Sequence, residues 1–458
     1  MKGITSWSYA PFKPTLWDSG DITVTRIVPK KNSIHIEWLG CEAKTLYISK
    51  RGENDRREYS AEGKNELDVC GLDKDTDYEF YLEGNGKRSR VRLARCGDGV
   101  GTVVNYLHPD DTVYSFSGRY LCSPSLLVHP DGYMLASMDL YATAHPQNLT
   151  LIFRSDDGGE SWHYQCELMP CFWGKLFYHN GSVYMLSVST EYGDLLISRS
   201  DDSGKSFASP VTLLRGTNGK NGGIGVHKNP QNMIIHNGRL YGTLEYGAWA
   251  NKDFCHAAMV MSADVNADFL DPASWSFTEP RRFDNFAEEI ADMPKCTMTI
   301  EGTLVLDPEG ELLNVMRFGK RGNALAYKVN TDLPEAMLEY HSLIDFNGNF
   351  SKFMIKHDPV SKKYYSVATT LYDGCPDNAR DYLTLMESDD LKSFRTVREL
   401  IDYRGIDTKH IGFQYVDFEF DGDDIIFLCR TAFNGAHNYH DSNYITFHRI
   451  KDFRNKSC

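Results

Sequence analysis

Between residues 21 and 96 apolar and polar positions alternate in short runs: ITVTRIV, SIHIEWLG, KTLYISKR, ELDVCGL, YEFYLEG and SRVRLARC. Turn-forming residues separate these runs at roughly 8–12-residue spacing, the pattern of a small β-sandwich. No helical period interrupts them. From residue 100 a different unit recurs: an apolar strand, a tight turn, a second apolar strand, a loop and a third strand. The turns are Asp131-Gly132, Asn180-Gly181, Asn237-Gly238, Glu309-Gly310, the DPVSKK stretch at 358–363 and Asp421-Gly422. Asp-Gly and Asn-Gly between apolar runs are strong hairpin signals. Repetition at roughly 50–70 residues predicts radially arranged sheets of four short strands. The last copy, FQYVDFEF, DDIIFLCR and NYITFHRI, supplies only three strands. The fourth is expected from GTVVNYLH at 101–108, which would close the ring and remove an exposed sheet edge.

A second element follows the third strand of a unit. Ser155-x-Asp157-x-Gly159-x-Ser161-Trp162 is repeated 45 residues later as Ser200-x-Asp202-x-Gly204-x-Ser206-Phe207. Fainter copies begin at Ser388 and Ser262. Asp and Ser side chains in such a turn bond backbone amides, Gly takes the left-handed conformation, and the aromatic fills the gap between strands. These turns are similar to the Asp-box of sialidase-like propellers. In the N-terminal part, Trp38 in the second strand and Leu72-x-x-x-Thr76-x-Tyr78 resemble the buried Trp and tyrosine corner of fibronectin type III domains. The expectation is an all-β chain: a fibronectin type III-like sandwich over 1–98, then a six-bladed sialidase-like β-propeller over 99–458.

Composition narrows the partners. The net charge is −14, from 49 basic and 63 acidic residues, which repels nucleic acid and anionic membranes. No run approaches the ~20 apolar residues of a membrane span, and MKGITSWSYAPFK does not read as a signal peptide. The 11 cysteines are scattered, without CxxC or Cys/His metal spacing, and several lie in strand-like runs. A cytoplasmic protein with reduced thiols and no cofactor or metal is expected. Aromatics reach 12%, mostly Tyr and Phe, which suits both strands and sugar-binding clefts.

In a propeller the start of each innermost strand and the loop after the second strand face one end of the central channel. That end would gather Ser123, Asp139, Tyr141 and His145; Trp173, Lys175, Glu191 and Tyr192; His227, Glu245 and Trp249; Asp292, Lys295, Glu301 and Arg317; Lys352, Tyr372 and Asp373; and Gln414, Tyr415, Asp417, Arg430, His437, His440 and Asp441. Carboxyl groups, His and flat aromatics suit carbohydrate chemistry. The resemblance to sialidases assigns roles. A Glu opening a middle inner strand and an Arg ending the next strand match Glu301 and Arg317 in EGTLVLDPEGELLNVMR. A Tyr opening the last inner strand matches Tyr415 in FQYVDF. This implies Tyr415 as nucleophile and Glu301 as its base, since a phenol with a pKa near 10 needs one. Asp139 occupies the neighbourhood of the family's general acid. Arg430, His437, His440, His227, Glu245, Trp173, Gln414, Asp417 and Lys295 are candidate substrate-binding residues.

Two departures stand out. LCSPS at 121–125 puts Ser123 where the family has an arginine, and TTLYDG carries no arginine in the fifth-blade loop. Two of three carboxylate-binding arginines are therefore expected to be missing, and a bidentate clamp for sialic acid with them. The reading is an exo-acting glycoside hydrolase for a small glycoside or oligosaccharide, on a sugar other than sialic acid. Two alternatives stay open. One is a lyase for uronic-acid glycans, using His227, His437 or Tyr415 near Arg317. The other is a non-catalytic carbohydrate-binding propeller. The segment GAHNYHDSNY at 435–444 could bind substrate or a metal, or shuttle protons.

Overall fold

The computed structural model describes residues 20–217, 223–251, 255–283, 299–319 and 321–455. Among these, helical structure is confined to short 3-10 turns such as Pro272–Ser274, and no helix is long and apolar enough to cross a membrane. The N-terminal strands are β1 (Ile22–Pro29), β2 (Ser33–Gly40), β3 (Thr45–Lys50), β4 (Arg57–Ser60), β5 (Glu66–Cys70), β6 (Asp77–Gly84), β7 (Lys87–Arg88) and β8 (Arg92–Arg95). They form two sheets, β1-β2-β5 and β4-β3-β6-β7, with β8 also on β6. Their alternating inward residues share one core around Ile27, Ile36, Trp38, Leu46, Phe80 and Leu82. Tyr78 is buried there, and its hydroxyl accepts from Asp73 N at 2.8 Å, bonding back to the preceding chain as expected of a tyrosine corner.

The remaining sheets follow in chain order. β9 (Thr102–Tyr106) waits for the C-terminus. β10 (Tyr120–Val128), β11 (Met134–Tyr141), β12 (Thr150–Ser155) and β13 (His163–Leu168) form the first sheet. β14 (Phe172–His179), β15 (Ser182–Val188), β16 (Leu195–Ser200) and β17 (Val211–Leu214) form the second. In the third, β18 (Gly225–His227) and β19 (Ile234–His236) both pair with β20 (Arg239–Gly247), which continues to β21 (Ala257–Asp264) and β22 (Trp275–Phe277). β23 (Thr299–Leu306), β24 (Leu312–Phe318), β25 (Asn323–Lys328) and β26 (Glu339–Phe346) come next. They are joined through a short parallel contact of β26 with β30 to β27 (Lys356–Asp358), β28 (Lys363–Thr369), β29 (Tyr382–Ser388) and β30 (Ser393–Asp402). Finally β31 (Gly412–Asp421), β32 (Asp424–Ala432) and β33 (Tyr444–Ile450) pair in order, and β9 completes that sheet antiparallel to β33. The closure by residues 101–108 is thus as the sequence pattern predicts.

The hairpin turns lie where expected. At Asn180-Gly181 both residues take positive φ (45° and 89°), the geometry that matches strand twist in a two-residue hairpin. Apolar faces then stack sheet on sheet. Leu135 and Ile152 meet Leu176 and Met185; Leu186 and Ile197 meet Leu240 and Leu244; Val260 meets Leu304 and Leu325. Val315 meets Ile355 and Met386, Val367 and Leu385 meet Val416 and Phe427, and Leu428 and Phe447 return to Leu126 and Phe153. The stack closes on itself, and the outer strands such as β26 and β30 keep one face partly exposed.

The two clean Ser-x-Asp-x-Gly-x-Ser turns are built alike. Asp157 accepts from Ser155 Oγ (2.8 Å), Ser161 N (2.9 Å) and Ser161 Oγ (2.5 Å). Asp202 repeats these contacts with Ser200 and Ser206 at the same distances. Trp162 and Phe207 are buried between sheets. The N-terminal sheets are fastened to β9 by Arg26, whose Nη2 and Nε donate to Val103 O (2.7 Å) and Val104 O (2.9 Å). Buried beside it, Arg92 pairs with Asp111 at 2.7 Å.

Candidate functional site

Four innermost strands break register near their start. The interruption lies between Cys122 and Ser125 in β10, Phe172 and Lys175 in β14, Ile300 and Thr303 in β23, and Gln414 and Asp417 in β31. The first skipped residue of each has positive φ: Ser123 (44°), Trp173 (50°), Glu301 (60°) and Tyr415 (55°). A bulge re-aims a side chain out of the ladder, and non-glycine residues at such φ mark constrained positions. All four are buried.

Two of these bulges meet. Tyr415 Oη donates to Glu301 Oε1 at 2.7 Å. Arg317, on β24, donates through Nη1 to Glu301 Oε2 at 2.8 Å and lies 3.5 Å from Tyr415 Oη. Burial pushes the Glu301 carboxyl up, but Arg317 and the hydrogen bonds from Arg317 and Tyr415 overcome it and hold it below the ordinary carboxylate range. Tyr415 is raised, first by burial and then by the Glu301 charge, so its proton stays on until something replaces that environment. The phenol, carboxylate and guanidinium expected from the sequence are therefore in one contact group.

Two further guanidinium groups approach the same phenol ring. Arg430, on β32, lies 5.0 Å from the Tyr415 centroid and donates to His440 O at 2.5 Å. Arg380, in the loop between β28 and β29, lies 5.8 Å from it and donates through Nη2 to Phe350 O at 2.9 Å. Arg380 was not anticipated, and the expectation that the fifth-unit loop brings no arginine is corrected: it enters nine residues after Leu371, just before β29 rather than beside TTLYDG. Arg380 is 5% exposed, and among the described residues its Nε and Nη1 have no hydrogen-bond partner; nor does Arg430 Nε. Burial, reinforced by the neighbouring Arg317 and Arg430, brings the Arg380 pKa down to about 10. Ser123 does stand where an arginine was expected, with its Oγ 3.0 Å from Cys122 Sγ, and Arg430 reaches the same Cys122 at 3.6 Å.

Glu245 and Asp139 prove to be architectural partners of the bulges. Glu245, on β20, accepts from Glu301 N (2.8 Å) and Gly302 N (3.3 Å) with Oε1, and its Oε2 lies 2.6 Å from His227 Nδ1. Burial and the Glu301 charge raise Glu245 to about 8, while burial lowers His227 to about 4. Near neutral pH this pair therefore shares one proton between neutral groups. Asp139, at the matching place on β11, accepts from Trp173 N at 2.8 Å and also holds Gly174 N, while Thr150 Oγ1 donates to its other oxygen at 2.6 Å. It is fully buried and raised to about 7 by burial. Expected as the general acid, Asp139 instead satisfies the amides of the second bulge as Glu245 satisfies those of the fourth-sheet bulge.

The other expected residues divide. Trp173 packs on His227, with ring centroids 4.3 Å apart, and its carbonyl accepts from the buried Lys228 at 2.6 Å. Gln414 Nε2 donates to Tyr439 O at 2.6 Å and so supports the 434–443 loop. In that loop Asp441 bonds His440 Nδ1 (2.9 Å) and His437 Nδ1 (3.0 Å). His440 lines the site beside Arg430, and burial with the Arg430 charge lowers its pKa to about 4. His437 is exposed at the rim, stacked on Tyr120. Asp417 points away, to Lys175 Nζ (2.7 Å) and Leu126 N (2.8 Å). Lys295 and Asp292 lie outside the described residues.

Comparison with known proteins adds the fold. No family model matches the chain, and no curated protein does. Among solved structures it is similar to a Hadza microbial sialidase, with TM-score 0.52 and 13% identity over 97% of this chain and 98% of that one. It is also similar to the GH93 α-L-arabinofuranosidase of Fusarium graminearum with arabinobiose (TM-score 0.50, 12% identity, 76% and 97% covered). A third is the Trypanosoma rangeli sialidase (TM-score 0.50, 16% identity, 80% and 56% covered). The neighbours are propeller glycosidases, and the likeness shows that this chain shares their fold.

Proposed function

We propose that the chain is an exo-acting glycoside hydrolase on a six-bladed propeller (residues 99–458) behind a fibronectin type III-like sandwich (residues 1–98), with Tyr415 as nucleophile. The substrate we propose is a glycoside whose carboxylate sits on the anomeric carbon, as in sialic acids, rather than the different sugar expected from the sequence. The observation that carries this reading is the Tyr415–Glu301 hydrogen bond of 2.7 Å with Arg317, Arg380 and Arg430 around the phenol. Among the described residues, two of those arginines have buried N–H groups without a partner. Buried guanidinium groups call for an anion with paired acceptor oxygens, and a carboxylate is one. Since they surround the nucleophile, the carboxylate they hold lies beside the carbon attacked. A neutral phenol also approaches such a centre without the repulsion a carboxylate nucleophile would meet.

In the first step Tyr415 Oη bonds to the anomeric carbon and its proton passes to Glu301 Oε1. The glycosidic C–O bond breaks as its oxygen takes a proton from an acid. Water then attacks the same carbon, losing a proton to that conjugate base, and the Tyr415 oxygen leaves, recovering its proton from Glu301. The test is turnover of methylumbelliferyl N-acetylneuraminide by the whole chain, alongside aryl α-L-arabinofuranosides and uronic-acid oligosaccharides. We expect hydrolysis of the acidic sugar alone. Cleavage of the arabinofuranoside, or an unsaturated product absorbing in the near ultraviolet, would overturn it.

A further inference from the structure

We infer that His35, Glu37 and Glu66 on the N-terminal sheet β1-β2-β5, with His163 on β13, form a Zn²⁺ site that ties this sheet to the first sheet of the ring. None of these residues belongs to the Tyr415 group. Strand alternation sets them out. In β2, Ile34, Ile36 and Trp38 enter the core, so His35 and Glu37 share the opposite face. In β5, Leu67 and Val69 pack on that core, which puts Glu66 and Asp68 on the same outer face. The register places His35 opposite Asp68 and Glu37 opposite Glu66. Two carboxylates directly opposite each other repel, and a cation between them removes that cost. Arg26, opposite Glu37 on β1, meets Glu37 Oε1 at 2.6 Å and spends its other donors on β9 carbonyls. Among the described residues Glu66 makes one ion-pair contact, 3.8 Å to His35 Nε2.

The separations suit a metal better than they suit ion pairs. His35 Nε2 lies 3.3 Å from Glu37 Oε1, and His163 Nδ1 lies 3.3 Å from Glu37 Oε2. A charge-assisted hydrogen bond would draw such atoms to about 2.7–2.9 Å. Two ligands on one tetrahedral Zn²⁺, with bonds of about 2.0–2.1 Å, stand about 3.3–3.4 Å apart. One donor atom each from His35, Glu37 and Glu66 falls within 4.8 Å of the others, and His163 comes to the same carboxylate from the ring. Two imidazoles and two carboxylates are a donor set that Zn²⁺ accepts.

The groups behind the ligands are also in place. Asp68 Oδ1 lies 3.4 Å from His35 Nδ1 and 3.3 Å from Lys30 Nζ. A carboxylate on the far nitrogen of a ligating His fixes the tautomer that leaves Nε2 free for the metal. Arg26 does the same for Glu37, holding Oε1 while Oε2 faces His163. Glu37 is buried although it lies on the outer face of its sheet, whereas His163 is exposed, so the site sits in the seam and opens to solvent. A second cluster, Asp307, Glu311 and His341, has one imidazole, and its Glu311 already pairs with Lys328. The ligands of the seam come from three strands distant in sequence, so no motif announces them and no metal was expected.

The test titrates the untagged, chelator-stripped whole chain with Co²⁺, a visible stand-in for Zn²⁺, in excess Mg²⁺ to occupy loose carboxylate sites. One equivalent should bind with the strong visible absorption of four-coordinate Co²⁺, and Zn²⁺ should abolish it. His35→Ala and His163→Ala should each weaken binding by more than ~100-fold, and Asp68→Asn by ~10–100-fold. His163 is exposed, so its variant should keep the wild-type circular dichroism; His341→Ala should bind as wild type does. Zn²⁺ should raise the Tm of wild type and not that of His163→Ala. Less than one equivalent, or the weak spectrum of six-coordinate Co²⁺, would overturn the site. Binding lost in His341→Ala would overturn it too, by placing the metal elsewhere. Unchanged binding in His163→Ala would overturn the tie to the ring.

Discussion

Replacing Arg380 by Met separates stability from binding at the site. Burial, with Arg317 and Arg430 nearby, lowers the Arg380 pKa to about 10, well below the ordinary guanidinium range. At 1.36 kcal/mol per tenfold, holding that charge in the fold costs about 3 kcal/mol. Methionine also removes the hydrogen bond to Phe350 O, a loss of about 1 kcal/mol. The net expectation at pH 7 is a gain of about 2 kcal/mol in unfolding free energy, read by urea titration. The sign follows from linkage: the folded state binds this proton more weakly, so the penalty is complete below pH ~10 and fades as pH rises through that value. Binding should move the other way. With a dehydro-N-acetylneuraminic acid inhibitor at ~100 Kd, wild type gains about 2.7 kcal/mol. The variant, short of a charged donor worth about 1.5–3 kcal/mol, should bind ~10–100-fold more weakly. A variant that is destabilised yet keeps the inhibitor's effect would refute the idea that Arg380 is held in strain for an anion.

Other outcomes follow from individual contacts. Tyr415→Phe should lower kcat on the order of 10⁴-fold or more with little change in Tm, because Glu301 keeps Arg317; unchanged turnover removes Tyr415 as nucleophile. Lys228 is fully buried and pulled down to about 7 by burial, so between pH 7 and 10 the unfolded chain binds the extra proton and stability rises with pH. Lys228→Met should flatten that rise, measured by urea unfolding at pH 7 and 9. Asp157→Ala, losing three accepted hydrogen bonds in a rim turn, should cost about 1–2 kcal/mol and leave turnover intact.

Much of the architecture was legible because it rests on local chemistry. Asn-Gly and Asp-Gly turns force hairpins, and the Ser-x-Asp turns bond within themselves. Tyr415, Glu301 and Arg317 were legible through the resemblance to sialidases, which implies a Glu, an Arg and a Tyr at these places on the strands that flank the hairpin turns. Arg380 was not: it ends a loop of irregular length, and only the folded ring shows that its guanidinium reaches Tyr415. Asp139 misled for a related reason. Its partners, Thr150 and the Trp173 amide, come from a neighbouring strand and the next sheet, so its neighbourhood suggested an acid while its contacts make it a bulge cap.

The bulges explain why the candidate site and the architecture coincide here. Each begins an innermost strand at nearly the same distance from the following hairpin turn, so Ser123, Trp173, Glu301 and Tyr415 come to the same level of the ring. Holding a non-glycine residue at positive φ costs roughly 1–2 kcal/mol, and the closed cycle of apolar sheet interfaces can absorb that. The amides freed at two bulges are satisfied by Asp139 and Glu245 from the preceding sheet. The repeat therefore supplies a level of strained, well-bonded positions whatever side chains occupy them. Two positions carry a serine and a tryptophan, and two carry the phenol and the carboxylate. What such a site can do is then a choice of side chain at positions the fold already constrains, and the same fold recurs in structural neighbours that share only 12–16% of its sequence.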